Sequence, residues 1–215
     1  MLTDRSTRGK SNVSNRAGPF DWSGGHPALD LVNTLDQRPF PSPIENLAGY
    51  GELVRFAELA GLIERPLARR LVKLGDPCCS LVAKKARKLR EHLHDVLEAV
   101  HTGRRAAQDD LDAINHTVQA AHAARSLRAS SPRPRGLVCH RWSQPFAADV
   151  PLHACALAVE ELLVAVDRQK IRKCGASDCG VYFVDTSKGH RRQWCSMKNC
   201  GNREKQRRWR STERG

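Results

Sequence analysis

Cys174-Gly175-Ala176-Ser177-Asp178-Cys179 and, fifteen residues further on, Cys195-Ser196-Met197-Lys198-Asn199-Cys200-Gly201-Asn202-Arg203-Glu204-Lys205-Gln206-Arg207-Arg208-Trp209-Arg210 decide how this chain is organised. Two cysteine pairs share the same four-residue gap, within the usual spacing for paired zinc ligands. Four thiolates offered as two local pairs close a tetrahedral shell and leave no position for a reacting water, so the spacing points to one structural Zn2+ held by Cys174, Cys179, Cys195 and Cys200. The intervening residues include Gly180 and a Thr186-Ser187-Lys188-Gly189 turn, and the basic run after Cys200 is rich in helix formers. The expected unit is a small four-cysteine zinc finger made of a hairpin and a basic helix.

Two disulfides are the competing use of four cysteines, and they need an oxidising compartment. The first twenty residues hold charges, Ser and Asn but no apolar run of the kind a secretory signal requires, and no stretch approaches the roughly 18 apolar residues of a membrane span. The expectation is a cytoplasmic protein with reduced thiols and no membrane partner. Cys139 and Cys155 sit in apolar runs and read as small core residues, while Cys78-Cys79 falls at a helix start after Asp76-Pro77.

The net charge of +13 belongs to the ends of the chain. Residues 168–215 carry 14 Lys/Arg against 4 Asp/Glu, residues 1–18 carry 4 against 1, and the intervening body has 18 of each. Four thiolates and one zinc ion still leave the C-terminal segment at about +8 in the same formal counting. Such a patch favours phosphate backbones through counterion release. The alternative is a solvated, solubilising tail; ordering by zinc and the interleaved Tyr182, Phe183, Trp194 and Trp209 argue against it. The candidate nucleic-acid residues are Lys188, Arg191 and Arg192 between the pairs, and Asn202, Arg203, Lys205, Gln206, Arg207, Arg208 and Arg210 after them. On a helix Arg203, Arg207 and Arg210 share one stripe suited to phosphates, and Asn202, Gln206 and Trp209 the next, whose amides could read base edges. Trp209 and Tyr182 are expected to pack on the zinc core.

Upstream, the pattern predicts a mainly helical α+β domain over 19–168, between a disordered basic tail (1–18) and the finger (169–215). Gly24-Gly25 precedes a short helix with Ala28, Leu31, Val32 and Leu35 inward and Asp30 and Asn33 on the other side. Pro39 to Pro43 reads as a loop. Helices are expected over 50–60, stopped by Gly61, and after Pro66. The clearest spans 80–102: Val82, Ala86, Leu89, Leu93, Val96, Leu97 and Val100 recur at three-four spacing, Lys84, Lys85, Lys88 and Arg90 lie opposite, and Gly103 is the stop. Another covers 109–124. Residues 127–129 and 137–142 read as a β-hairpin, and an apolar helix over 151–168 runs into the finger without a flexible linker.

Cys174 to Arg210, with Tyr182-Phe183-Val184-Asp185-Thr186-Ser187, Arg192-Gln193-Trp194-Cys195-Ser196-Met197 and above all Cys200-Gly201-Asn202-Arg203, resembles the CGNR zinc finger. Gly24-Gly25 with Leu29-Asp30-Leu31-Val32-Asn33-Thr34 resembles the opening motif of the ABATE domain that accompanies it. Together the two cover nearly all of the chain after residue 18. The resemblance implies a bacterial, stress-induced transcription regulator with a C-terminal DNA-binding finger. Gly201 would then permit close approach to the metal or a partner, Asn202 would cap the structure around the thiolates, and Arg203 would either bond nearby carbonyls or grip phosphate.

The leading expectation is therefore a regulator that binds duplex DNA through the finger while its N-terminal domain senses a small-molecule effector or a partner. An RNA- or ribosome-associated module and a zinc-stapled protein-interaction domain are the alternatives. One finger buries little surface, so sequence-specific binding would call for a homodimer or for added contacts from the N-terminal arm. The chain has no phosphate loop, no HExxH and no nucleophile elbow, and no enzyme is expected. His92 and His94 read as residues of an amphipathic helix. Asp30, Asn33 and Thr34 form the best candidate polar cluster for an N-terminal ligand pocket.

Overall fold

The computed structural model describes residues 19–75, 77–129 and 137–212. The basic tail expected over 1–18 and the hairpin tip at 130–136 lie outside them. Pro27 occupies the first turn of α1 (Pro27–Val32), where its missing N–H costs nothing, and the His26 Nδ1 accepts from the Ala28 N–H at 3.2 Å. A two-residue antiparallel ladder, β1 (Leu35–Asp36) with β2 (Ile44–Glu45), brackets the proline loop. α2 (Tyr50–Leu59) ends at Gly61, whose φ of 75° only glycine adopts freely. α3 (Arg65–Leu71), α4 (Pro77–His101) and α5 (Gln108–Ala123) follow. β3 (Arg125–Ala129) and β4 (Val138–Trp142) pair antiparallel with Leu127 opposite His140, and α6 (Val150–Ala165) closes the helical part.

α6 is the axis of this part, because its composition is apolar on every side and α1, α2, α4 and α5 all pack against it. Leu29, Leu31, Phe56, Leu93 and Leu162 are fully buried there, each contributing about 1.5–3 kcal/mol of apolar transfer. The inward face read from the sequence of α4 is buried except at Val100.

Three expectations about the helical part need correction. Arg90 is not on a solvated face: it is 3 % exposed, bridges Glu45 with two 2.6 Å contacts and Glu91 with one of 2.7 Å, and so fastens β2 to α4. Cys139 is not a core residue, because its strand belongs to a two-stranded hairpin that leaves Leu127 and Val138 exposed. Finally, the polar side read for α1 is not solvated: Asp30 and Asn33 are buried, Asp30 bonded to Gly24 and Asn33 to Tyr182 of the finger.

Only Val166 and Asp167 separate α6 from a 3-10 turn (Arg168–Lys170) that opens the finger. β5 (Ile171–Lys173) pairs antiparallel with β6 (Tyr182–Val184), a π-helical turn spans Met197–Gly201, and α7 (Asn202–Thr212) follows. The two-residue period of β6 joins the two parts. Tyr182 points into the core of the helical domain, not onto the zinc core as expected, and Phe183 points the other way, into a small cluster with the cysteines. Asn33 exchanges two 3.0 Å hydrogen bonds with the backbone of Tyr182, and the Val184 N–H donates to the Gly24 carbonyl at 2.8 Å. Gly24 has no room for a side chain, because a Cβ would stand 2.7 Å from the Asp30 Oδ1 and 2.9 Å from its backbone nitrogen. The finger is thus docked on the domain by backbone pairing. Among the described residues no helix is long and apolar enough to cross a membrane.

Candidate metal centre and basic surface

β5 and β6 continue past their ladder, with the Cys174 N–H donating to the Val181 carbonyl at 2.9 Å, and this turn presents Cys174 and Cys179. The π-helical turn presents Cys200 beside Cys195. All four sulphurs lie within 4.8 Å of one another, with Cys179–Cys195 at 3.8 Å and Cys195–Cys200 at 3.5 Å. A disulfide requires about 2.0 Å, whereas four sulphurs on tetrahedral Zn–S bonds of about 2.3 Å stand about 3.8 Å apart. The donor set fits zinc, and all eight cysteines are free of disulfides.

Four thiols this close cannot all ionise unaided. Cys174 is held far below the usual thiol range by hydrogen bonds from Cys179 and Cys195, while the bond to Cys174 pushes Cys179 up to about 12 and Cys195 higher still. A bound dication reverses that conflict by favouring the thiolate at every position. The Cys195 N–H donates to the Cys174 sulphur at 3.4 Å, and one Arg203 nitrogen donates to that of Cys200 at 3.3 Å. These donors orient the ligands and spread the thiolate charge.

Arg203 donates to a sulphur and a carboxylate, not to the nearby carbonyls of its structural reading. It bonds Cys200 and Asp178 (2.7 Å), and Arg207 bonds the other Asp178 oxygen at 2.6 Å as well as Glu204 and Ser177. Burial raises the Asp178 carboxyl, but the two guanidinium groups outweigh it and hold the group below the usual carboxylate range. The expected phosphate stripe is therefore ion-paired over two of its three members, tying α7 to the first cysteine turn. Asn202 donates to the Lys198 carbonyl across the π-helical turn rather than to a thiolate. Gly201 is closed in by the Met197 sulphur and the Trp194 ring, 2.7 and 3.0 Å from where a Cβ would be.

The loop after β6 is organised by Asp185, which is fully buried and accepts from the Ser187 and Arg192 N–H groups at 2.9 Å. Hydrogen bonding from Ser187, above all, holds its carboxyl below the usual range. Arg192 donates to the Trp194 and Cys195 carbonyls and lies 4.4 Å over the Phe183 ring. Lys188 and Arg191 are exposed on the same loop, as are Lys205, Gln206, Arg208 and Arg210 on α7. Trp209 is 64 % exposed and does not pack on the zinc core, because Phe183 and Trp194 already fill it and ion pairs, not aromatic contacts, hold α7 down.

Asp30, Asn33 and Thr34 do meet, but in the interior. The Asp30 Oδ1 accepts from the Gly24 N–H at 3.0 Å, Asn33 is spent on Tyr182, and the Thr34 hydroxyl donates to the Leu31 carbonyl at 2.6 Å and accepts from Arg90 at 3.2 Å. They position the finger and the Arg90 network from the interior. Glu98, missed in the sequence, accepts from Lys173 at 2.7 Å and from the Tyr182 hydroxyl. Burial raises its carboxyl, but these two donors bring it down to about 2. Asp178 was legible in principle, as an acid inside a cysteine turn that faces a basic run; Glu98 was not, because its partners lie over seventy residues away.

Against known families, the ABATE model, described as "Putative stress-induced transcription regulator", matches residues 25–166, and the CGNR zinc finger model matches residues 170–212. A search of curated proteins found no match to the chain. The close cysteines and the second match together mark a zinc-binding site.

Proposed function

Since the chain belongs to the ABATE family and carries a CGNR zinc finger, we propose that it is a cytoplasmic transcription regulator that binds duplex DNA through that finger. One zinc ion would be structural: four thiolates complete its shell, so it supplies folding free energy to a module too small to bury much surface and takes no part in a reaction. The residues around it do the rest. Asp178 and Arg203 lock α7 against the first cysteine turn, and the locked helix displays Lys205, Arg208 and Arg210 beside the exposed Trp209.

The observation that carries the reading is this division of the arginines. Arg203 and Arg207 are neutralised by Asp178 and Glu204, whereas Lys205, Arg208 and Arg210 have no acidic partner among the described residues. Cations left unpaired on an ordered helix bind polyphosphate by counterion release. A single finger offers too little area for sequence-specific recognition, so the reading includes a homodimer on DNA. It assigns no catalysis, the sequence carrying no phosphate loop, HExxH or nucleophile elbow. The helical domain would transmit the state of a small-molecule effector, in keeping with a stress-responsive regulator.

The test is fluorescence anisotropy of the zinc-loaded full chain with a labelled duplex at two salt concentrations, with structured RNA as competitor. Salt-sensitive binding to the duplex, lost on chelation and resistant to RNA, is expected. A zinc-loaded chain that ignores the duplex contradicts the reading, and preferential capture by RNA replaces it with the RNA-associated one.

A further inference from the structure

Between the C-terminal end of α4 and the finger lies an open groove of about 610 Å3. Arg168, Arg172, Arg192 and Arg208 line it with Lys173 and His101, and no Asp or Glu does. Elsewhere the body of the chain balances its charges, and another groove at the finger, of about 710 Å3, is lined by Asp21, Asp36 and Asp178 with Arg203 as its one basic residue. Four guanidinium groups converging without an acid in the lining repel one another, and an anion of matching geometry relieves that repulsion.

Not all of these cations are equally available. Lys173 is paired with Glu98 behind the groove. Arg192 is held by carbonyls and by the Phe183 ring, so it keeps its charge while its orientation is already fixed. Arg168, Arg172 and Arg208 are exposed and have no acidic partner among the described residues. They come from three elements: the 3-10 turn, β5 and α7. α4 of the helical domain supplies His101 and Val100 to the facing wall.

Resting on the DNA-binding reading above, we propose that this groove seats a backbone phosphate of duplex DNA, held by Arg168, Arg172 and Arg208, with α4 of the helical domain as its wall. Guanidinium forks match phosphate oxygens in pairs, which suits a three-arginine cluster to one non-bridging oxygen set. Phosphate contacts fix orientation and carry no sequence information, so this site sets how the finger lies on the duplex and leaves reading to the outer residues of α7. It also makes DNA touch both parts of the chain at once. A change in α4 would thereby reach the bound phosphate without any motion inside the zinc module.

The experiment uses the zinc-loaded full chain and a labelled duplex. An Arg168→Gln/Arg172→Gln double variant is compared with wild type across a salt series, beside an Arg168→Lys/Arg172→Lys variant that keeps charge. Loss of at least about tenfold in affinity is expected for the Gln pair, with a salt slope lower by about 0.9 for each lost phosphate contact. The Lys pair should retain most of the slope, which a merely structural role for these arginines would not explain. Unchanged affinity and slope in the Gln variant, with wild type binding normally, overturns the groove site and leaves the function standing. No binding by wild type overturns both.

Discussion

Arg207 and Arg208 are neighbours in sequence, and a helix turns them about 100° apart. Arg207 faces the acidic side of the finger, where Asp178 and Glu204 hold it at 2.6 Å; Arg208 faces the groove, whose charged lining residues are all basic. The same side chain thus closes the module on one side and leaves charge free on the other. The lesson concerns net charge: a segment's surplus of bases says how strong its field is, and only the position of its few acids says where that field acts.

The largest perturbation should abolish both sides together. Cys174→Ser or chelation removes a ligand whose set contributes, in small zinc peptides, roughly 10–16 kcal/mol of folding free energy. The expected result is loss of the near-ultraviolet dichroism of Trp194 with the helical domain still folded, since Tyr182 is the one finger residue among the buried residues of the core around α6. Asn33→Ala comes next. It strands two buried backbone groups of Tyr182, each costing about 1–3 kcal/mol, so urea unfolding should shift by about 2–6 kcal/mol, and amide exchange at Tyr182 and Val184 should rise before that at the cysteine turns. The groove wall loosens while the Asp178 side holds.

Asp178→Asn acts on the other side alone. Partly exposed ion pairs contribute about 1 kcal/mol or less each, so a loss of about 1 kcal/mol in apo-to-holo folding is expected, with DNA affinity unchanged or slightly raised as Arg207 is released. A pH-dependent effect is expected at Glu98. Its folded carboxyl titrates near 2 against 4.5 for the free group, so its stabilisation is complete above pH 4.5 and lost as pH falls towards 2. The stability difference between wild type and Glu98→Gln should shrink over that window. Proton competition for the thiolates is common to both proteins and cancels.

How much of this was legible in the sequence follows from the range of each interaction. α4 and the four-cysteine unit rest on local periodicity and spacing, and both lie where those signals put them. Arg90, Asn33 and Tyr182 were misplaced because their partners are distant in the chain: a polar residue on the back of a helix reads as solvated until a second unit covers it. The arginine stripe was read incompletely for a different reason. Spacing located Arg203, Arg207 and Arg210 on one face, but not the single carboxylate, Asp178, across from two of them. Arg168 and Arg172 were passed over because they precede the first cysteine and join Arg208 only through the fold.

The direct test is to substitute the two neighbours one at a time. Arg207→Gln and Arg208→Gln are to be compared, in the zinc-loaded full chain, for the salt dependence of duplex DNA binding at equal zinc content. Arg208→Gln should weaken binding and lower the slope by about 0.9, while Arg207→Gln leaves the slope at its wild-type value. The reverse order, or equal losses from both, would contradict the division of the finger into a closing side and a phosphate side.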